Sequence, residues 1–236
     1  MKTVYHKSTE RGHVNHGWLN AKHSFSFANY HDPNKIHFGM LRVLNDDIVA
    51  PGSGFGMHPH DNMEIVTIPL QGTLEHRDSM GNIGTIKPNE VQAMSAGSGL
   101  MHSEYNHSKT EAINLLQIWV FPKVRNIEPR YEQKVFSEND KLNKFKTIVA
   151  PVKSEDSMWI NQDAYFSIGK FDKAKIETYK IQHKGNGAYV FVIEGEANIE
   201  SQALSKRDAI GIWETDKIEI SIQPNTEILI IEIPMN

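Results

Sequence analysis

Cysteine is absent from all 236 residues, and that gap removes several classes of protein. Without thiols there is no disulfide framework, no cysteine-ligated zinc or iron–sulfur site and no cysteine nucleophile. Any metal must be held by nitrogen and oxygen. A basic excess is missing too: 25 lysines and arginines against 29 acidic residues give a formal net charge of −4, with both signs interspersed. Direct nucleic-acid binding therefore has no electrostatic footprint. Long apolar runs are equally lacking. Stretches such as Ile228–Ile231 fall far short of a membrane span, and the polar opening Met1–Glu10 lacks the apolar core of a signal peptide. A cytoplasmic location with no membrane partner is the expectation. Nor does any window sustain a 3.6-residue apolar period over three turns. Helix is expected only briefly after Ser137, where Ser137-Glu-Asn-Asp140 can cap a turn.

What is present is a succession of short runs rich in Val, Ile, Thr and aromatics, punctuated by Gly, Asn, Asp and Pro. Met40–Leu44, Glu64–Leu70, Val91–Met94, Ile113–Phe121, Ala188–Ile193, Ile210–Trp213, Ile218–Ile222 and Glu227–Ile233 read as strands. An all-β architecture follows. At ~150 residues per domain, the length allows one large or two small units. A faint internal echo favours two: Thr67–Leu74 around Gly72 resembles Val190–Ala197 around Gly195, and each is followed by a polar turn, Asn89-Glu90 or Arg207-Asp208. The charged, proline-containing stretch Lys123–Ser157 would then be the linker.

Histidine separates the halves. Eleven of the twelve histidines lie before residue 108 and only His183 beyond it, so chemistry belongs to the N-terminal half. In Gly52-Ser-Gly-Phe-Gly56-Met-His58-Pro-His60 the two histidines at i and i+2 project to one face of an extended segment. Pro59 holds His58 extended. Taken alone, such a pair is surface decoration or a hydrogen-bonded loop as readily as a metal site. His102 and Glu104 repeat the spacing forty residues on, after Gly97 and Gly99, so two neighbouring strands could each offer two ligands. Three imidazoles and one carboxylate leave a divalent ion with open positions, as a catalytic site requires. Glu64 is a further ligand candidate, read instead as orienting a ligand histidine. His76 is read as a solvated or satisfied polar residue, and His13, His16 and His23 as structural hydrogen-bonding groups. Phe55, Met57, Met94 and Leu100 are candidates for an apolar pocket or for core.

Gly52-x5-His58-x-His60-x3-Glu64-x7-Gly72 resembles the first cupin motif, and Gly97-x-Gly99-x2-His102-x3-Asn106 the second, with Gly97 replacing the usual proline. More narrowly, the segments His23–Pro33, Leu41–Asp47, His58-Pro-His60, Asp78–Asn82 and Met94–Asn106 are similar to the pirin family, and within it to the bacterial quercetin 2,3-dioxygenase-like branch. The likeness is dense from Arg11 to Arg130 and looser beyond. It implies a bicupin, two antiparallel jelly-roll β-barrels packed face to face, here 1–135 with the metal and 136–236 without ligands. The metal ligands it implies are His58, His60, His102 and Glu104, the carboxylate coming from the second motif. The second barrel would serve to pack against the first and close its edge.

The activity implied by the resemblance is opening of the central ring of quercetin-like flavonols with O2 and release of carbon monoxide. Glu104 would be the general base. One divalent transition metal is implied, Fe(II) first, with Zn, Ni, Co, Mn or Cu as substitutes. The partners would be a small flavonol-like aromatic and O2, and the chain a monomer. Two rival readings are a metal-dependent regulator working through protein partners and a cupin enzyme acting on another small molecule.

Overall fold

The Val/Ile-rich runs become strands in the computed structural model, which describes all 236 residues. The chain begins with β1 (Lys2–His6), β2 (Gly12–Asn15), β3 (Leu19–His23), β4 (Leu41–Val49), β5 (Gly54–His60) and β6 (Glu64–Gln71). It continues through β7 (Leu74–Asp78), β8 (Ile83–Ile86), β9 (Glu90–Ser95), β10 (Leu100–Asn106), β11 (Ile113–Val120) and β12 (Arg130–Val135). After the single α-helical turn α1 (Glu138–Lys141) come β13 (Lys146–Ala150), β14 (Met158–Trp159), β15 (Tyr165–Phe171), β16 (Lys175–Lys180) and β17 (Asn186–Glu194). The last strands are β18 (Glu196–Ile199), β19 (Gln202–Ser205), β20 (Ala209–Trp213), β21 (Lys217–Ile222) and β22 (Thr226–Pro234). Helix α1 starts where the sequence places it: the Asp140 carboxylate accepts the Ser137 N–H and hydroxyl, each at 2.7 Å.

Four sheets result, two to a barrel. In the first barrel β12-β9-β6-β11-β4-β3-β2 faces β5-β10-β7-β8; in the second β1-β20-β17-β22-β15-β13-β14 faces β16-β21-β18-β19. The central pairs β4–β11, β6–β11, β5–β10 and β17–β22 are antiparallel. Strand parity shows how these layers stack. Along β22, Ile228 and Ile230 pack with Ile199, Ile218, Ile220 and Ile222 of the smaller sheet. The intervening Leu229, Ile231 and Ile233 join Leu44, Val66, Ile68, Leu116 and Ile118 of the first barrel in a cluster of 26 buried residues. With both faces buried, the strand reads as an unbroken apolar run. The two seven-stranded sheets thus meet face to face.

The barrels differ in their filling. Apolar residues, mostly isoleucine, fill the second. In the first, the inward positions of β4, β6 and β11 carry the buried Asn45, Asp47, Thr67 and Gln117. That polar stripe is also why β4 runs on to Val49, past the expected end at Leu44: Asn45 and Asp47 interrupt the apolar reading while keeping the pleat. The internal echo is real geometry. Gly72 and Gly195 turn at φ +80° and +79°, and the following turns place Asn89 and Arg207 at +71° and +69°.

Two expectations need correction. Lys123–Ser157 is no bare linker, since β12 pairs with β9 in the first barrel and β13 with β15 in the second. Strand β12 is a half-buried edge strand whose polar composition hid it, and β13 has only the short apolar run Ile148–Ala150 to mark it. In addition, β1 crosses over to pair with β20 in the second barrel. The crossing is fastened by the Tyr5 hydroxyl donating to Asp208 at 2.7 Å and by His6 Nδ1 at 2.9 Å from the Tyr189 hydroxyl.

That fastening is sensitive to pH. Burial, helped by Lys35, pushes the His6 imidazole down to about 4, whereas an unfolded histidine titrates near ~6.5. Between those values protons bind the unfolded chain preferentially, so stability is lost as pH falls through that window. Urea unfolding at pH 7 and pH 5 should show wild type losing about 2 kcal/mol more than His6→Gln; equal losses would contradict this.

Candidate metal centre

Strands β5 and β10 lie side by side with His102 directly opposite His58 and Leu100 opposite His60. Past His102 the register slips, so that Glu104 pairs with Phe55. This bulge accommodates the glycine-rich start of β5. At Gly54 the strands approach so closely that a methyl group would overlap the Glu104 carbonyl oxygen and the Tyr105 backbone. On its other edge β10 meets β7, with His76 opposite Glu104 and Asp78 opposite His102.

The three expected histidines converge. Ring centroids are 4.4 Å apart for His58–His102, 4.9 Å for His58–His60 and 4.8 Å for His60–His102. His58 Nδ1 donates to the Gly56 carbonyl at 2.7 Å, which leaves Nε2 with its lone pair free. His60 abuts the Trp119 ring at 4.8 Å. Burial first, then the neighbouring histidines, pushes His60 down to about 4 and His102 to about 2. Both are neutral donors at physiological pH. The ligand atoms of His58, His60 and His102 all lie within 4.8 Å of one another, and His102 belongs to a second such group with His76 and Glu104. The four expected residues thus fall into two overlapping groups joined at His102. Glu104 is anchored by Gln117 Nε2, which donates to Oε2 at 2.9 Å, and its carboxyl is raised to about 7 by burial.

A cation fits this set on the structure's own terms. His102 is 1% exposed, yet neither ring nitrogen has a partner, and Oε1 of Glu104 is also buried and alone. Each such orphan costs roughly 1–3 kcal/mol in a protein interior. A first-row transition ion taking these nitrogen and oxygen lone pairs would remove that cost. The group borders a cavity of about 220 Å³ walled by Leu19, Ala21, Phe27, Phe55, Ile65 and Trp119.

Other expectations fare differently. Glu64 orients no histidine; its Oε2 accepts the Ser95 hydroxyl at 2.7 Å and the Asn161 N–H at 3.1 Å, tying the first barrel to a segment of the second. His76 takes the satisfied alternative and not the solvated one: it is wholly buried, 3.2 Å from Asp78 Oδ2 and stacked on Tyr131. His13 bonds Asn20 and His23 bonds Asn45, as structural groups should, although His23 also lines the cavity. His16 makes no side-chain hydrogen bond. Of the four apolar candidates only Phe55 reaches the cavity; Met94 and Leu100 are core, and Met57 is 53% exposed. Sequence reading missed Asp47, Gln117 and Trp119. The signal for the first two was a polar residue at an inward position of an otherwise apolar strand.

Two facing-sheet barrels, with a histidine–carboxylate cavity in the first alone, define a bicupin. Family comparison agrees: the pirin model matches residues 4–120, and the model for the quercetinase C-terminal cupin domain matches 147–233. The chain belongs to the pirin family. It is 41% identical over 228 residues to the quercetin 2,3-dioxygenase of Escherichia coli K12, covering 97% of each chain. It is 37% identical to a pirin-like protein of Caulobacter vibrioides, covering 94% of this chain and 95% of that one. The crystal structure of the E. coli pirin YhhW in complex with nickel(II) superposes with a TM-score of 0.93 at 39% identity, covering 99% of both chains.

Two outcomes follow. After reconstitution with a divalent metal and desalting, wild type should retain about one equivalent and His102→Ala less than a tenth of that by elemental analysis; equal contents would dismiss His102 as a ligand. Gly54→Ala, which forces β5 from β10, should cost about 2 kcal/mol in urea unfolding and weaken metal retention at the same time.

Proposed function

We propose that this chain is a metal-dependent dioxygenase opening the central ring of quercetin-like flavonols, incorporating O2 and releasing carbon monoxide. The observation that carries the reading is the pairing of an apolar cavity with buried, unpartnered nitrogen and oxygen donors at its edge. The names of the relatives support it. In this reading His58, His60, His102 and Glu104 hold one ion. Fe(II) is the first candidate, and Ni, Zn, Co, Mn and Cu share the same donor preference. When bound, the ion supplies Lewis acidity that favours the deprotonated flavonol 3-oxygen.

The chain's own residues do the remaining work. Phe55 and Trp119 offer ring surfaces to a planar aromatic, and Leu19, Ala21 and Ile65 keep water from its face. Glu104 accepts the 3-hydroxyl proton on Oε1, the oxygen it would share with the ion, while Gln117 holds the other oxygen in place. Thr67 in turn donates its hydroxyl to Gln117 Oε1 at 2.9 Å, which fixes the amide. The chain works as a cytoplasmic monomer on a small aromatic and O2. Its metal-bearing unit spans 1–135 and its ligand-free unit 136–236, with Lys2–His6 exchanged into the second sheet.

Anaerobic loading with each divalent metal, followed by aerobic addition of quercetin, tests this directly. Loss of flavonol absorbance with stoichiometric carbon monoxide is expected for at least one metal, and Glu104→Gln should lower kcat by about 100-fold or more. Absence of turnover with every metal would remove the named activity.

A further inference from the structure

On the opposite face of β4 from the metal cavity, the seam between the barrels holds two arginines, Arg11 buried and Arg207 largely so, that lack sufficient acceptors. Arg11 lies between β1 and β2 with its side chain 4% exposed and its guanidinium 5.4 Å from the centroid of the Phe191 ring. Arg207 sits in the β19–β20 turn. They share one carboxylate: Asp46 Oδ2 is 3.8 Å from Arg11 Nη2 and 3.4 Å from Arg207 Nε. Its other oxygen already accepts Asn114 Nδ2 at 2.7 Å, and Arg207 Nη2 donates to Asn114 Oδ1 at 3.0 Å. The nearby Asp208 is occupied by the Tyr5 hydroxyl and the N–H groups of Ser8 and Ser205. Arg11 Nε and Nη1 and Arg207 Nη1 are left buried with no partner.

Arg11, Asp46 and Arg207 line a cavity of about 450 Å³ together with Lys22 and Lys206. Lys206 is paired with Glu194 at 2.7 Å, whereas Lys22 has no ionic partner. Four cations therefore face three carboxylates, Asp46, Asp208 and Glu194, so one positive charge is uncompensated. Arg207 turns at φ +69°, as its counterpart Asn89 does at +71°.

We propose that this seam cavity binds a phosphate group, either as inorganic phosphate or on a small phosphorylated metabolite. Three free N–H donors from two separate guanidinium planes suit a tetrahedral oxyanion; a flat carboxylate would match a single fork. Asp46 stays in place as the counter-ion shared by both guanidiniums. It also lies beside Asp47, whose side chain takes the opposite face of β4 and lines the metal cavity. The anion site and the metal cavity are thus two faces of one strand.

Isothermal titration of the whole protein at fixed ionic strength tests the site, using inorganic phosphate, glycerol 3-phosphate, acetate and chloride. Saturable binding of the two phosphate probes at millimolar or tighter Kd is expected, with acetate and chloride silent. Arg207→Gln should weaken it at least tenfold, and Lys22→Ala, at the rim and safe for folding, at least threefold, with metal retention unchanged in both. Glycerol 3-phosphate binding tenfold tighter than phosphate would identify an organic ligand, and equal affinities the free ion. Phosphate no better than chloride, or affinity unchanged in Lys22→Ala and in any Arg207→Gln protein that folds, would overturn the proposal.

Discussion

His102 is an imidazole sealed inside a β-barrel with nothing to bond, and the first barrel is arranged around that fact. It sits on β10 between His58 of β5 and Asp78 of β7, so the residues within reach are set by antiparallel register. Burial, with the histidines around it, keeps it neutral, which preserves its lone pair for an ion. Glu104, two residues along the same strand and on the same face, has the same predicament with an oxygen. An apolar core would have been the simpler filling. The retained cost of two unmet buried groups is accounted for by the cation they would share.

The second barrel shows what that simpler filling looks like. Its corresponding inward positions hold Ile228 and Ile230 of β22 and Val190 of β17, with no histidine pair. Its contribution is to cover the outer face of the first barrel's large sheet through the 26-residue cluster, to receive β1 on its edge and to reach back to Glu64 through Asn161. These contacts fix the strands from which the cavity is built. They also create the polar seam where Arg11, Asp46 and Arg207 meet.

Much of this was legible in the residues. Period-two spacing was enough to put His58 with His60 and His102 with Glu104 on common faces, and the glycine turns at Gly72 and Gly195 exposed the duplication. Fully buried strands announced themselves as continuous apolar runs. What could not be read were contacts whose partners are distant in sequence. Glu64 looked like a ligand's neighbour because it follows His60 by four residues, yet its partners are Ser95 and Asn161. The exchange of β1 was hidden because Lys2–His6 is a short strand of ordinary polarity whose partner, Ala209–Trp213, lies at the other end of the chain. Edge strands such as β12 carry too little apolar surface to signal at all.

On this structure His58, His60, His102 and Glu104 would together coordinate one metal ion. X-ray absorption at the metal edge of the reconstituted protein addresses it without reference to any substrate. The expected result is a first shell of nitrogen and oxygen only, with the outer-shell scattering of three imidazoles, falling to two in His58→Ala. A shell with one imidazole or none, or one unchanged by that substitution, would contradict it.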